Sequence, residues 1–214
     1  MNKTPVKGLY LITDSKLTGG RPLTEIVEAA IKGGVKVVQY REKDLSEEDM
    51  IRESRRLLEV TKRYGVPLII NDHVKVAISI GADGVHLGQE DMSVEKARKM
   101  LKKDRLIGIS THSLDEALYA CNRGADYIGV GPIYVDSNIK SVKPDVKRPV
   151  GVELITRVKA AVPIPVIAIG GINRENISEV VGAGADGIAV IRAIFGAEDP
   201  YKAALELAQI CNPP

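Results

Sequence analysis

Two aspartates, Asp72 and Asp91, each follow a short apolar run, in "LIIND" and in "VHLGQED". Asn71 stands beside the first and Glu90 beside the second. Carboxylates offered from neighbouring loops suit a hard cation such as Mg2+. That ion takes one or two of them and leaves its other positions to water and phosphate oxygens. Asp is also a preferred helix cap, so either acid can instead serve the helix that follows it. Asp91 has Ser93 two residues on as a rival for that role. Zinc does not fit, because His73, His86 and His112 do not cluster with cysteines.

A second stretch, "VKVVQYREKD", alternates Val37, Gln39, Arg41 and Lys43 on one face of a strand. If Val37 points inward, so do the other three, and two cations brought together repel unless an anion lies between them. The alternative is a strand that stops at Tyr40, with "REKD" a solvated turn. Further on, Gly170 and Gly171 in "IAIGGIN" let backbone N–H groups approach a ligand. Arg192 either adds charge there or is a surface arginine. No Cys/His or Ser/His pairing suggests a covalent nucleophile. The acids and the basic strand together favour a metal-assisted diphosphate site. The glycine pair favours a separate, metal-free monophosphate pocket. The chemistry that fits is departure of diphosphate, with capture of the electrophile by a second, phosphate-anchored substrate.

These residues need a scaffold that brings distant strand ends together. A phrase recurs in "KGGVKVVQYRE", "SIGADGVHLGQ", "NRGADYIGVGP" and "GAGADGIAVIR": a Gly that ends a helix, a small residue or two, then an apolar run. "LYLITD", "VPLIIND", "RLIGIS" and "IPVIAIGG" add further strand-length runs, about eight in all. Between them lie helical stripes. One opens at Ser46 with Asp49 at capping-box spacing, another at Ser113 with Glu116, and a third is expected from Asn173 as N-cap. Strict alternation of strand and helix gives a parallel sheet. Eight units predict a single (β/α)8 barrel of the α/β class spanning residues 1–214, with its active site at the C-terminal ends of the strands. A doubly wound open sheet is the alternative, but no G-x-G-x-x-G follows the first strand.

Composition narrows the partners. Net charge is +2 with no dense Lys/Arg tract, which argues against nucleic acid. The two cysteines, Cys121 and Cys211, fit reduced thiols in a cytoplasm. No run approaches the ~18 apolar residues of a membrane helix, and none reads as a signal segment. A homo-oligomer stays open.

"QYREK", "IINDH", "DGVHLGQEDM", "IGISTHS", "DYIGVGPIY", "IPVIAIGGI" and "GADGIAVI" occur in that order. In them the chain resembles the thiamine-phosphate synthase family over nearly its whole length. The resemblance implies a (β/α)8 barrel and a transferase. Its reaction joins hydroxymethylpyrimidine diphosphate to a thiazole ethyl phosphate, or its carboxylated form, giving thiamine phosphate and diphosphate. It implies that Gln39, Tyr40, Arg41, Glu42, Lys43 and Asn71 hold the pyrimidine diphosphate and that Asp72 and Asp91 bind Mg2+. Ser110 then contacts the pyrimidine, and Gly170, Gly171, Ile191 and Arg192 surround the thiazole phosphate. Arg41, Lys43 and Ser110 would act in catalysis with a lysine of the following loop.

The chain departs from the family in two places. After "GPIY" the family reads Pro-Thr-x-Thr-Lys, whereas this chain reads "VDSNIKSVKPD". The family lysine is then Lys143, counted back from "RPVG", or Lys140, counted from "GPIY". Ser137 or Ser141 replaces the lost threonine hydroxyls. The second departure is Arg192, where the family has serine. A related thiazole tautomerase carries histidine where this chain has Pro132. Competing readings are therefore a tautomerase-like isomerase and a non-catalytic barrel that binds a thiazole or thiamine phosphate.

Overall fold

The structure is a computed structural model that describes residues 6–101, 103–134 and 148–211. Eight strands form its centre: β1 (Gly8–Ile12), β2 (Val37–Tyr40), β3 (Leu68–Asn71), β4 (Gly84–Leu87), β5 (Leu106–Thr111), β6 (Tyr127–Val130), β7 (Val166–Ile169) and β8 (Gly187–Val190). They are parallel and pair in sequence order, and β8 pairs back onto β1 to close a barrel. The open-sheet alternative is thereby excluded. The helices are α1 (Leu23–Lys32), α2 (Glu47–Arg63), α3 (Val74–Ile80), α4 (Val94–Met100), α5 (Leu114–Asn122), α6 (Glu153–Ala161), α7 (Ile177–Gly182), α8 (Arg192–Phe195) and α9 (Pro200–Cys211). None of the described helices is long and apolar enough to cross a membrane.

The period-two alternation of each strand sorts residues into two layers. Leu9, Leu11, Val38, Ile70, Val85 and Ile128 face outward and join the helices in the larger apolar core. Tyr10, Ile12, Val37, Ile69, Tyr127, Ile167 and Ala189 face inward and fill the barrel. The Tyr127 ring occupies the space beside Gly108, where an added Cβ would lie 2.1 Å from the ring. A small residue on one strand thus admits a large one on the next.

The recurring Gly-Ala-Asp phrase has a structural meaning. Gly81, Gly124 and Gly184 take left-handed φ values of 70°, 90° and 93°, which lets the chain leave a helix and turn back to the sheet. The aspartate that follows grips the start of the preceding strand. Asp83 accepts from the Leu68 N–H at 2.9 Å, Asp126 from Ile107 at 2.8 Å and Asp186 from Val166 at 2.9 Å. Each also donates its own N–H back to the carbonyl of that same residue. These pairs lie at the strand starts, opposite the end where barrel enzymes work.

Helix starts follow local chemistry. Ser46 caps α2 by accepting the Asp49 N–H, and Ser113 caps α5 by accepting that of Glu116. The start expected at Asn173 is displaced. Its side chain accepts the Glu175 N–H in a turn, Asn176 accepts the Asn173 N–H, and α7 begins at Ile177. Both asparagine side chains are spent on this turn, and Asn176 sits at the cap position without a side-chain cap bond.

Asp126→Ala would strip the Ile107 N–H of its acceptor and Arg98 of its ion partner. It is expected to lower stability by about 1–3 kcal/mol. Urea unfolding measures this, and unchanged stability would dismiss the strand-start pairing as a stabilising feature.

Candidate active site

The C-terminal ends of the strands gather the polar side chains. β1 leads to Thr13, whose side chain is buried at the rim. Its hydroxyl accepts the Arg41 N–H at 3.0 Å and donates to the Arg41 carbonyl at 3.4 Å. The first residue beyond β2 is thus pinned by its backbone, and the Arg41 side chain lines the cavity at the barrel mouth. Lys43 lies further out and is exposed. The strand does stop at Tyr40, as the turn alternative held, yet the charges of Lys43 and Arg41 still act on Asp72.

Two residues of "QYREK" are not brought to the mouth, which corrects their expected substrate contact. Tyr40 points outward, because its parity is opposite to that of Gln39, and its hydroxyl donates to Glu53 of α2 at 2.7 Å. Glu42 folds back on its own turn and accepts the N–H groups of Lys43 at 2.7 Å and Asp44 at 2.9 Å. Burial pushes its carboxyl up, but a hydrogen bond from Ser15 and these N–H groups outweigh it and hold it below the usual range.

Neither aspartate caps the helix after it. The N-cap of α3 is His73, with no side-chain cap bond, and that of α4 is Ser93, which accepts the Lys96 N–H. Asp72 takes a left-handed φ of 59°, a conformation that Asp tolerates better than most residues. Its N–H donates to the His86 carbonyl on β4 at 2.8 Å. Asp91 is held by a short loop in which its carboxylate accepts the Gly88 N–H at 2.7 Å. The two carboxyls meet. Burial raises the Asp72 carboxyl to about 6, and contact with Asp91 and its charge add to the rise, while Lys43 and Arg41 oppose it. Among the described residues no group of three or more His, Cys, Asp and Glu side chains forms a metal cluster, so the pair stands as a two-carboxylate donor set.

A cavity of about 280 Å3 opens below the pair. Gln39, Arg41, Asn71, Ser110 and Ile191 line it, together with Tyr10, His86 and Tyr127, which sequence reading did not single out for the site. The missed three form its floor. Gln39 Nε2 donates to the Tyr10 hydroxyl at 2.9 Å, which lies 3.0 Å from that of Tyr127. The Tyr127 hydroxyl is 3.0 Å from His86 Nδ1, and His86 Nε2 is 2.9 Å from Ser110 Oγ. Burial pushes the His86 imidazole down to about 4 against the opposing charge of Asp91, so it is neutral. The available signal was inward parity: Tyr10 and Tyr127 fall in the layer that fills the barrel, and His86 lines the same cavity.

A second cavity of about 370 Å3 adjoins the first and shares Ile169, Ala189 and Ile191 with it. Gly170, Gly171, Ile191 and Arg192 line this one. Gly170 and Gly171 have φ values of 102° and 65°, and a Cβ on them would lie 2.5 Å from Pro132 and 2.8 Å from Tyr134. Their conformation and their packing both demand glycine. Ser137, Lys140, Ser141 and Lys143 lie outside the described residues.

A closed (β/α)8 barrel with its polar groups at the C-terminal mouth belongs to the architecture of barrel enzymes. Residues 9–194 match the family described as thiamine monophosphate synthase. A thiamine-phosphate synthase of Chloroflexus aurantiacus is 49% identical over 204 residues, covering 95% of this chain and 92% of that one. One from Clostridium novyi is 46% identical over 202 residues, covering 94% and 97%. The solved structure of a thiamine phosphate pyrophosphorylase from Pyrococcus furiosus superposes with a TM-score of 0.86 at 40% identity, covering 95% of each chain. The chain belongs to the thiamine monophosphate synthase family. Thiamine-phosphate synthesis, a transferase reaction, is the activity of that family.

The raised Asp72 carboxyl makes a pH prediction. Below about pH 4 it is protonated in both the folded and the unfolded chain. Between about pH 4 and 6 the folded chain holds the proton more tightly, so stability falls as pH rises through that window. Asp72→Asn is expected to lack this component, so without divalent cation its stability relative to the parent rises from pH 4 to pH 7. A constant difference, measured by denaturant unfolding, would mean that neither burial nor Asp91 raises the Asp72 carboxyl.

Proposed function

We propose that the two adjoining cavities hold the two substrates of thiamine-phosphate synthesis, the pyrimidine diphosphate beside β2–β5 and the thiazole phosphate beside β7 and β8. The single observation that carries this reading is their shared wall at Ile169, Ala189 and Ile191. It lets a group released in one cavity meet a nucleophile held in the other without crossing water.

Gln39, Asn71 and Ser110 orient the pyrimidine, and Arg41 and Lys43 face its diphosphate. Asp72 and Asp91 would hold Mg2+. Their donor set fits a hard cation that keeps positions open for water and phosphate oxygens, and a cation there offsets the repulsion within the pair. When bound, the ion supplies positive charge to the leaving diphosphate. The carbon–oxygen bond breaks with its electron pair passing to diphosphate, where Arg41 and Lys43 stabilise the developing charge. The thiazole nitrogen then donates its lone pair to the pyrimidine-methyl cation and forms the new carbon–nitrogen bond. Ile167, Ile169, Ala189 and Ile191 form a largely apolar wall that keeps water from that cation. Gly170 and Gly171 admit the thiazole phosphate, and Arg192 adds a guanidinium in place of the family's serine. Anchoring that phosphate supplies proximity. An isomerase confined to the second cavity would leave the carboxylate pair without a role.

Arg192→Ala is expected to raise KM for the thiazole phosphate about tenfold or more, consistent with loss of a charge-assisted contact, and to leave that for the pyrimidine diphosphate nearly unchanged. Asp91→Asn is expected to lower kcat by about 100-fold at limiting Mg2+. Steady-state kinetics in both substrates read the two effects. A swapped KM pattern would misplace the phosphate pocket, and a fully active Asp91→Asn would remove the metal assignment.

A further inference from the structure

The floor of the first cavity is a row of polar groups buried in an otherwise apolar barrel. It runs from Gln39 through Tyr10, Tyr127 and His86 to Ser110. Each junction is a single hydrogen bond, each hydroxyl has one proton, and a buried proton left unbonded is costly, so when every proton is placed within the row the direction of one bond carries over to the next. Gln39 Nε2 donates to Tyr10. The Tyr10 proton is then left for the Tyr127 oxygen, and the Tyr127 proton for His86 Nδ1. An accepting Nδ1 requires the Nε2–H tautomer, which donates to Ser110 Oγ. The Ser110 carbonyl is occupied separately by Gln89 Nε2 at 2.6 Å. In that arrangement the Ser110 hydroxyl proton has no acceptor in the row and is left for the cavity that Ser110 lines.

We propose that this row polarises Ser110 as a hydrogen-bond donor, so that the cavity selects an aromatic ligand presenting an acceptor ring nitrogen at that point. Tyr10, Tyr127 and His86 are positioning residues that act through Ser110. Packing fixes them in place. An added Cβ on Gly129 would lie 3.1 Å from His86 Cε1, and Gly108 is open to the Tyr127 ring. The selected ligand is an aminopyrimidine under the transferase reading, on which this part of the inference rests. Buried rows of this kind gain specificity from the penalty of a mismatch: a ligand offering N–H there could use only the second lone pair of Ser110 Oγ and would leave the hydroxyl proton without an acceptor.

The test begins with ligand-free protein labelled with 15N-histidine, the His86 signals being assigned by their loss in His86→Gln. The expected spectrum has a protonated Nε2 and a bare, accepting Nδ1. A protonated Nδ1 would reverse the row, make Ser110 an acceptor and overturn the proposal. The second arm is Tyr127→Phe, which keeps the ring and removes the proton aimed at Nδ1. It is expected to mix the tautomers and raise KM for the pyrimidine diphosphate by about tenfold, the scale of one neutral hydrogen bond, with KM for the thiazole phosphate within about twofold. Equal rises for both substrates would mean a merely structural role and overturn it. If the ligand-free protein shows the Nε2–H tautomer but neither substrate binds, the transferase reading fails while the polarity of the floor stands.

Discussion

Two carboxyls held side by side, that of Asp72 half-buried and that of Asp91 exposed, are the constraint around which the mouth of this barrel is organised. Burial first, and the contact with Asp91 after it, disfavour the charged form of Asp72, so holding both carboxyls charged costs free energy. The backbone must therefore impose it. Parallel pairing of β3 with β4 brings the two strand ends together, and a left-handed turn at Asp72 and the Gly88–Asp91 loop set the final approach. The cap positions of α3 and α4 are left to His73 and Ser93, so both acids stay available. Thr13 fixes the Arg41 backbone from the strand on the other side, which keeps cationic charge near the pair.

Stability and chemistry occupy opposite ends of the strands. At the starts, three aspartates of identical sequence context hold adjacent strands by paired backbone bonds. At the ends, the same residue type is used where it is strained and mutually repelled. A closed barrel permits this separation because its register is fixed at the bottom and every strand delivers its inward residues to the same mouth. The polar floor continues the same logic. Each of its side chains has a partner in the row, with no buried side-chain N or O atom unpartnered among the described residues.

Much of this was legible in the sequence because strand–helix alternation is strongly periodic. The eight strands, the barrel and the inward parity of Gln39 followed from that pattern. Asp72 and Asp91 stood out because two acids recur at the same point of adjacent units. Ser110 and Ile191 came from family resemblance, since nothing in their local chemistry distinguishes them. Tyr40 and Glu42 were drawn in with their motif although alternation turns Tyr40 outward and local N–H groups capture Glu42. The floor was invisible for a different reason. Tyr10 and Tyr127 are 117 residues apart, and in a strand each reads as an ordinary core aromatic. Only closure of the barrel brings their hydroxyls together. Asn173 missed as a cap because its side chain closes a turn onto the Glu175 N–H and the regular helix starts one turn later.

The most direct measurement is a single reaction of protein, pyrimidine diphosphate and thiazole phosphate with Mg2+, run with and without chelator. Thiamine phosphate and diphosphate are followed together. Equal amounts of both are expected, formed only when the metal is free to bind. Diphosphate without thiamine phosphate would mean that the two cavities do not communicate. Undiminished formation of both in chelator would contradict the role given to Asp72 and Asp91.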